Sequence, residues 1–296
     1  MTSLRAIEQF EVYLATEKRY SEHTLIAYKN DLQQFVDYAE ITEDRQLAEV
    51  NHQLVRGWMV ELLEQSIVPR SVSRKLSCLR SFFNWLKKEG LVTENPMLKV
   101  RGPKVEKRLP QFVKQSEFTN ERIDPIFANN FDGTRDRLMV ELFYQTGIRL
   151  SELINLKEQD VVSTHIKVLG KRNKERVIPI GKELFELICE YRSGKPDGPD
   201  SGNLLFVKID GVKLSSKFVY RKINTYLGRV TNTQKKSPHI LRHTFATHML
   251  NNGAGLETLK ELLGHANLSA TQVYTHNSFA QINNIYSQAH PRGRKN

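Results

Sequence analysis

A chain of 296 residues is longer than a single domain usually is, so its length predicts two domains that each bury a core. No stretch approaches the roughly 20 consecutive apolar residues that span a bilayer, which excludes an integral membrane protein. The N-terminus MTSLRAIEQF lacks the apolar core of a signal peptide, so we expect a cytoplasmic protein without membrane insertion. Cys78 and Cys189 each lie in an apolar helical pattern, which predicts buried thiols in a reducing compartment.

The charge of the chain predicts a nucleic-acid partner. There are 44 Lys and Arg residues against 33 Asp and Glu residues, which gives a net charge of +11. Residues 1–110 hold 17 basic and 15 acidic side chains, so nearly all of the excess lies in the C-terminal part. We therefore look for phosphate chemistry in that part of the chain.

The first hundred residues are predicted to be helical because apolar side chains recur there at helical spacing. The first apolar stripe consists of Leu25, Tyr28, Leu32, Phe35 and Val36. The second consists of Val72, Leu76, Leu79, Phe83 and Leu86, and Gly90 marks its end. Arg70, Arg74 and Arg80 lie off the second stripe. They form either a solvated basic face or contacts to the DNA backbone.

A basic linker is predicted where NPMLKVRGPKVEKRLPQFV interrupts the helical pattern with proline and glycine. We expect a helical DNA-binding domain at residues 1–98, the linker at 99–113 and a second domain at 114–296. A linker that follows a phosphate backbone needs positive charge, whereas a simple spacer does not. Lys104 and Lys107 are therefore candidate DNA contacts.

The second domain is predicted to be mainly helical with a small sheet. The segment THIKVLGKRNKERVIPI alternates on both sides of a polar turn at residues 170–176, which is typical of a β-hairpin. Helical spacing precedes and follows it, at residues 115–129, 134–156, 182–192, 215–231, 239–252, 256–263, 269–276 and 279–286.

Candidate catalytic residues lie in separated polar clusters of the second domain. His239 and Arg242 are three residues apart, so on a helix they share a face and are able to hold one anion together. Each of these residues alone is more often structural than catalytic. Their occurrence together, in a particular order, is what indicates an active site. In chain order they are Arg149 in TGIRLSELINL, Lys171 in GKRNKER, His239 and Arg242 in HILRHTFATH, and His265 and Tyr274 in GHANLSATQVYTH.

These six residues, in this order and spacing, resemble the catalytic set of the tyrosine recombinase (phage integrase) family, and within it the Xer branch of XerC- and XerD-like proteins. The resemblance covers nearly the whole chain. It implies a two-domain DNA clamp, with a helical SAM-like core-binding domain and an α+β catalytic domain. One departure is Arg172, since this turn commonly carries glycine after the catalytic lysine. Lys174 is a second candidate for that lysine, and both residues are candidate DNA contacts.

The resemblance implies transesterification on DNA, with Tyr274 as the nucleophile. A tyrosine phenol has an ordinary pKa of about 10, so it needs a proton acceptor and a neutralised phosphate. The guanidiniums of Arg149 and Arg242 suit the phosphate, because each offers two donors in a fork. His239 is expected to take the tyrosine proton, and Lys171 to protonate the departing 5′ oxygen.

No metal or other cofactor is expected. His243 and His248 are five residues apart, and neither a His-Glu-x-x-His motif nor a phosphate-binding Gly-rich loop occurs in the sequence. The resemblance implies as partners a double-stranded recombination site, a second related recombinase in a heterotetramer or homotetramer, and a DNA translocase of the FtsK type.

The C-terminal tail is expected to join neighbouring protomers, because in the family its helix docks onto the next subunit. Its apolar stripe of Phe279, Ile282, Ile285 and Tyr286 is equally able to fold back on its own domain. The basic end HPRGRKN is expected in solvent or near DNA.

Three other functions stay open on the sequence. An integrase of a mobile element has the same six residues, and a type IB topoisomerase has the same chemistry. A DNA-binding regulatory or architectural protein with a decayed site is the alternative without catalysis.

Overall fold

The computed structural model describes residues 4–105, 111–170, 175–264 and 276–293, with the backbone alone for 276–281. The chain divides into two compact units, Met1–Arg108 and Leu109–Asn296, and each is described by itself. The structure is mostly helical with a two-stranded sheet, which confirms the predicted fold class. Among the described residues, no helix has the length and apolar character that crossing a membrane requires.

The N-terminal unit is helical, as predicted. Both apolar stripes lie in its helices, and the five residues of the second stripe are all buried. Asn51 caps the third helix by accepting from the backbone N–H groups of Gln53 and Leu54, and Pro69 begins the fourth, where its missing N–H costs nothing. The helices are α1 (Arg5–Thr16), α2 (Glu22–Tyr38), α3 (His52–Glu64) and α4 (Pro69–Lys88).

The start of the predicted linker packs within the N-terminal unit. Val100 is buried, and its carbonyl accepts a hydrogen bond of 3.3 Å from Arg80 Nη2. Arg56 Nη2 donates to the carbonyl of Lys99 at 2.8 Å. Residues 101–105 then run on without regular secondary structure. Arg80, a candidate DNA contact, is thus also a support for the chain that leaves the unit.

The C-terminal unit surrounds one hydrophobic core with helices and a hairpin. The strands pair antiparallel, with Ile166 opposite Ile178 and Val168 opposite Arg176. The elements are α5 (Asn120–Ile123), α6 (Phe131–Thr146), α7 (Leu150–Ile154), β1 (His165–Leu169), β2 (Glu175–Pro179), α8 (Lys182–Ser193), α9 (Ser216–Val230), α10 (Pro238–Asn251), α11 (Leu256–Leu263) and α12 (His276–Ala289).

Two predicted helices differ from the structure. The stretch 134–156 is broken because α6 ends at Gly147, which has a left-handed φ of 59°. A Cβ at this glycine would lie 2.6 Å from a ring carbon of Phe245, so a larger residue does not fit. The stretch 115–129 is mainly two 3₁₀ turns around the short α5, and Pro125 in the second turn has no N–H to continue a helix.

Two further expectations were wrong in detail. Arg176 belongs to β2 and not to the preceding turn, because it continues the inward alternation of Ile178. Cys78 is buried as predicted, but Cys189 is exposed on α8. The predicted helix 269–276 lies almost wholly outside the described residues.

The C-terminal helix folds back on its own unit. Ile282 and Tyr286 of α12 are buried in the core, which is the second of the two alternatives that the sequence left open. In the described part of the basic end, His290 does not lie in solvent as expected, since it is fully buried and stacks on Tyr286. Arg292 forms an ion pair with the buried carboxylate of Glu141, which needs a cation at that depth.

Candidate active site

Arg149 stands at the start of α7, directly after the turn at Gly147. Its backbone N–H donates to Glu152 Oε2 at 2.8 Å, and its Nη1 donates to Glu152 Oε1 at 2.7 Å. Its Nη2 donates to the carbonyl of Gly264 at 2.9 Å. One third of the Arg149 side chain stays exposed, so the guanidinium is anchored and still accessible.

Arg242 projects from α10, the helix that also carries His239. Its Nη1 donates to the carbonyl of Gly147 at 2.5 Å, and its Nη2 to the carbonyl of Leu263 at 2.6 Å. Arg242 is buried, whereas His239, one turn earlier, is exposed. The predicted pair therefore shares a helix, but its members differ in access to solvent.

Sequence reasoning missed two residues of this site, Glu152 and Arg176. Arg176 binds Glu152 through both terminal nitrogens, at 2.8 and 2.7 Å, and its Nε donates to the carbonyl of Leu262 at 2.7 Å. The sequence carried a signal for each residue. Glu152 stands three residues after Arg149, as in a capping box, and Arg176 alternates in phase with Ile178.

Three guanidiniums thus converge on the C-terminal end of α11. The consecutive carbonyls of residues 262–264 accept from Arg176, Arg242 and Arg149 in turn. The last carbonyls of a helix lack intrahelical donors and carry partial negative charge, so cations suit this position. We call Arg149, Arg176 and Arg242, with Glu152, the three-arginine cluster.

The three-arginine cluster carries an excess of positive charge. Three guanidiniums meet one carboxylate, which leaves a formal charge of +2. Burial would raise the pKa of Glu152, but hydrogen bonds and charge from Arg176, with the bonds from Arg149, lower it to about 2. Burial, together with the charges of Arg149 and Arg176, lowers the pKa of Arg242 to about 9. Arg242 therefore remains charged at neutral pH, and a cluster with three guanidiniums against one carboxylate favours an anion.

The first described residues of the C-terminal unit are hydrogen-bonded to α10. The backbone N–H of Val113 donates to Thr244 Oγ1 at 3.0 Å, and the Val113 carbonyl lies 3.0 Å from His248 Nε2. His248 Nδ1 lies 3.2 Å from the hydroxyl of Tyr144. Burial lowers the pKa of His248, so the ring is neutral. His248 therefore has a packing role, in contact with Tyr144 and Val113.

The candidate DNA contacts of the N-terminal unit lie along α4. Arg70 and Arg74 are exposed and line a groove with serines 71, 73 and 77. Arg74 Nη2 and Lys75 Nζ both donate to Asp31 Oδ1 at 2.9 Å. Since two cations share this buried carboxylate, the groove keeps a positive excess. Lys104 is also exposed.

Several predicted site residues lie outside the described residues. They are Lys107, Lys171, Arg172, Lys174, His265 and Tyr274. The structure therefore brings together Arg149 and Arg242, and adds Glu152 and Arg176 to them.

Two family models match this chain, one in each of its units. A sequence model of the phage integrase family matches residues 116–281, and a model of the phage integrase N-terminal SAM-like domain matches residues 7–90. The chain is 39% identical over 296 residues to tyrosine recombinase XerC of Staphylococcus saprophyticus, with 99% of each chain covered.

Two solved structures share the fold. One is a XerH site-specific recombinase bound to a palindromic difH substrate, with a TM-score of 0.71, 21% identity, and coverage of 95% of this chain and 84% of that chain. The other is a lambda integrase tetramer bound to a Holliday junction, with a TM-score of 0.67, 18% identity, and coverage of 91% and 79%.

Proposed function

This chain belongs to the phage integrase family of tyrosine recombinases, which are DNA strand-transfer enzymes, and we propose that it recombines DNA at a specific site through a 3′-phosphotyrosyl intermediate. We propose further that this reaction resolves chromosome dimers during cell division. Relatives named tyrosine recombinase XerC that match nearly the full chain support both parts of the proposal.

The observation that carries the proposal is the positive excess of the three-arginine cluster. Its formal charge is +2, and Arg149 is partly exposed, so an anion is able to approach. A phosphodiester supplies one negative charge in the ground state and a second in the pentavalent transition state. Arg149 and Arg242 would bind its nonbridging oxygens, and fixed donors of this kind stabilise the charge that develops during reaction.

The proposed cleavage step forms one bond and breaks one. The Tyr274 oxygen attacks the phosphorus, and the bond from phosphorus to the 5′ oxygen breaks. His239 takes the tyrosine proton, Lys171 gives a proton to the 5′ oxygen, and His265 donates a hydrogen bond to the phosphate. The exposed position of His239 at the start of α10 supports its part in this step. The covalent link keeps the phosphoester energy, so rejoining needs no ATP.

DNA binding by the N-terminal unit is proposed to use α4 and the chain that follows it. Arg70 and Arg74 border a groove with hydroxyl donors, which suits contacts to the phosphate backbone. Lys104 and Lys107, which lie in the predicted linker, would extend these contacts along the chain. Arg172 and Lys174 are proposed as further contacts from the catalytic unit.

The proposed assembly is a tetramer on DNA with a second, related recombinase or with further copies of this chain. The lambda integrase tetramer, which shares the fold, supports such an assembly. Because Ile282 and Tyr286 are covered by their own unit, docking of the C-terminal helix onto a neighbour would require its release. A DNA translocase of the FtsK type is the proposed regulator, and the DNA substrate implies work in the cytoplasm.

A trapped covalent adduct tests the proposal. A pool of nicked duplexes with a random central sequence should give a denaturation-resistant protein–DNA adduct, because the short cleaved strand diffuses away. Tyr274→Phe should abolish the adduct. Tyr220→Phe, which changes an exposed tyrosine of α9, should leave it intact.

Other results would favour the alternative functions. DNA binding without any adduct would favour a binding protein. Suppose that the protein relaxes a supercoiled plasmid that contains none of the DNA sequences found in the adducts. That result would favour a topoisomerase.

A further inference from the structure

Arg176 is a buried arginine on the inner face of the hairpin. It is 3% exposed and alternates with Ile178 along β2. A buried charge is costly unless it is paired and hydrogen-bonded, so this position requires partners. Because all three guanidinium nitrogens of Arg176 are hydrogen-bonded within its own unit, it is placed to act on neighbouring side chains and not on DNA directly.

The partners of Arg176 come from two other segments of the catalytic unit. Its terminal nitrogens bind both oxygens of Glu152, and its Nε binds the carbonyl of Leu262 at the end of α11. Gly264 packs against the same guanidinium, since a Cβ there would lie 3.1 Å from Arg176 Cδ and Nη1. The planar guanidinium of Arg176, which lies on β2, is thus hydrogen-bonded to both α7 and α11.

Glu152 is shared between Arg176 and Arg149. Its Oε1 accepts from Nη1 of both arginines, and its Oε2 accepts from Arg176 Nη2 and from the Arg149 backbone N–H. The fork of Arg176 therefore fixes the plane of the carboxylate. That plane in turn fixes the direction of the Arg149 guanidinium, which is the exposed member of the pair.

We propose that Arg176 is a positioning residue for DNA cleavage, because it orients Glu152 so that Glu152 directs Arg149 toward the scissile phosphate. The inference rests on the proposed role of Arg149. Arg176 also connects two segments that lie close in sequence to other candidate catalytic residues. Arg176 itself follows Lys171 by five residues, and its partner Leu262 precedes His265 by three. A small misplacement of a catalytic group is enough to slow a reaction about 100-fold.

Arg176→Lys tests the inference because it keeps the charge and removes the fork. A lysine has one nitrogen, which is unable to bind both oxygens of Glu152 and the Leu262 carbonyl in one plane. We expect single-turnover cleavage of the nicked duplex recovered with the wild type to slow by about 10- to 100-fold. The Kd for that duplex should stay within about threefold, because Arg176 uses all three of its guanidinium nitrogens on Glu152 and Leu262 and not on a phosphate.

Arg135→Lys is the matched control. Arg135 is 1% exposed in the same unit, and its Nε and Nη2 both bind Asp136, at 3.0 and 2.8 Å. Like Arg176→Lys, this variant loses a buried guanidinium that donates two hydrogen bonds to a carboxylate, but it does so outside the three-arginine cluster. Its folded molecules should cleave at the wild-type rate, so a slowing shared equally by both lysine variants would overturn the positioning role.

A double-variant cycle separates positioning from mere support of the fold. If Arg176 acts through Arg149, Arg176→Lys should cause little further slowing of cleavage in an Arg149→Ala background. Independent, multiplicative losses would overturn the inference. Should Arg176→Lys fail to fold, Glu152→Gln keeps the side-chain shape and breaks the same link, and wild-type cleavage by that variant would also overturn it.

The wild-type reaction distinguishes this inference from the proposed function. If the wild type forms no adduct, the proposed function and the inference fall together. If the wild type forms an adduct and Arg176→Lys cleaves equally fast, the inference alone is wrong.

Discussion

Among its described residues, the catalytic unit buries arginines in two places, and the two differ in charge balance. Arg135 pairs with Asp132 at 2.5 Å and Asp136 at 2.8 Å, and Lys222 also reaches Asp136 at 2.7 Å. Two cations and two anions leave this group neutral. The three-arginine cluster sets three cations against one carboxylate and keeps a formal charge of +2.

The arginines of the two groups also differ in their access to solvent. The Arg135 guanidinium lies over the rings of Phe131 and Phe218, at 5.7 and 4.8 Å from their centroids, and is closed off from solvent. Arg149 instead remains one-third exposed. A balanced group around a covered arginine stabilises the fold, whereas an unbalanced group with an accessible arginine is suited to bind an external anion. Charge balance therefore distinguishes a structural buried arginine from a functional one here.

The largest effect expected from this comparison concerns stability. Arg135→Met should lower the free energy of unfolding by about 3 kcal/mol, because it leaves the buried Asp136 short of its main cation. Urea denaturation would measure this loss. The rate of adduct formation per folded molecule should not change, and a large drop in that rate would place Arg135 in the active site.

The second effect concerns catalysis. Arg149→Ala should slow cleavage by about 100- to 1,000-fold, as expected for loss of one fixed donor to a developing oxyanion, while DNA binding is nearly kept. Adduct formation and gel-shift affinity would measure the two quantities. Arg137→Ala is the control, since Arg137 has nearly the same exposure, 34% against 33%, and pairs with Asp124 instead. Equal loss of affinity and rate would make Arg149 a docking residue.

The smallest effect is a pH dependence that belongs to Glu152. Its pKa falls from an ordinary 4.5 to about 2 in the folded chain, so its ionisation stabilises the fold above about pH 5 and ceases to do so as pH falls through 2. From pH 6 to pH 3 about 2 kcal/mol of this contribution should be lost. The difference in unfolding free energy between wild type and Glu152→Gln should therefore shrink from pH 6 to pH 3. A constant difference would contradict the ion pairing.

Local patterns made much of the fold predictable. The stripe from Val72 to Leu86 was correctly assigned because a helix repeats every 3.6 residues and its buried face is visible in the sequence. The break at Gly147 was missed because the apolar pattern continues across it, and the close packing of Phe245 against this glycine, about a hundred residues later in the chain, is visible only in the fold. The ion pair of Arg292 was missed for the same kind of reason, because its partner Glu141 lies on α6.

The sequence alone determined the helical periods, the hairpin and the order of the catalytic candidates, because spacing along the chain encodes each of these. The tertiary structure alone decided that Arg176 is part of the site. Its bonds to Glu152 and Leu262 span 24 and 86 residues, and the bond from Arg242 to Gly147 spans 95. Such pairings depend on how helices and strands pack, and no spacing rule predicts them. For this reason the charge excess of the site became visible only in the folded chain.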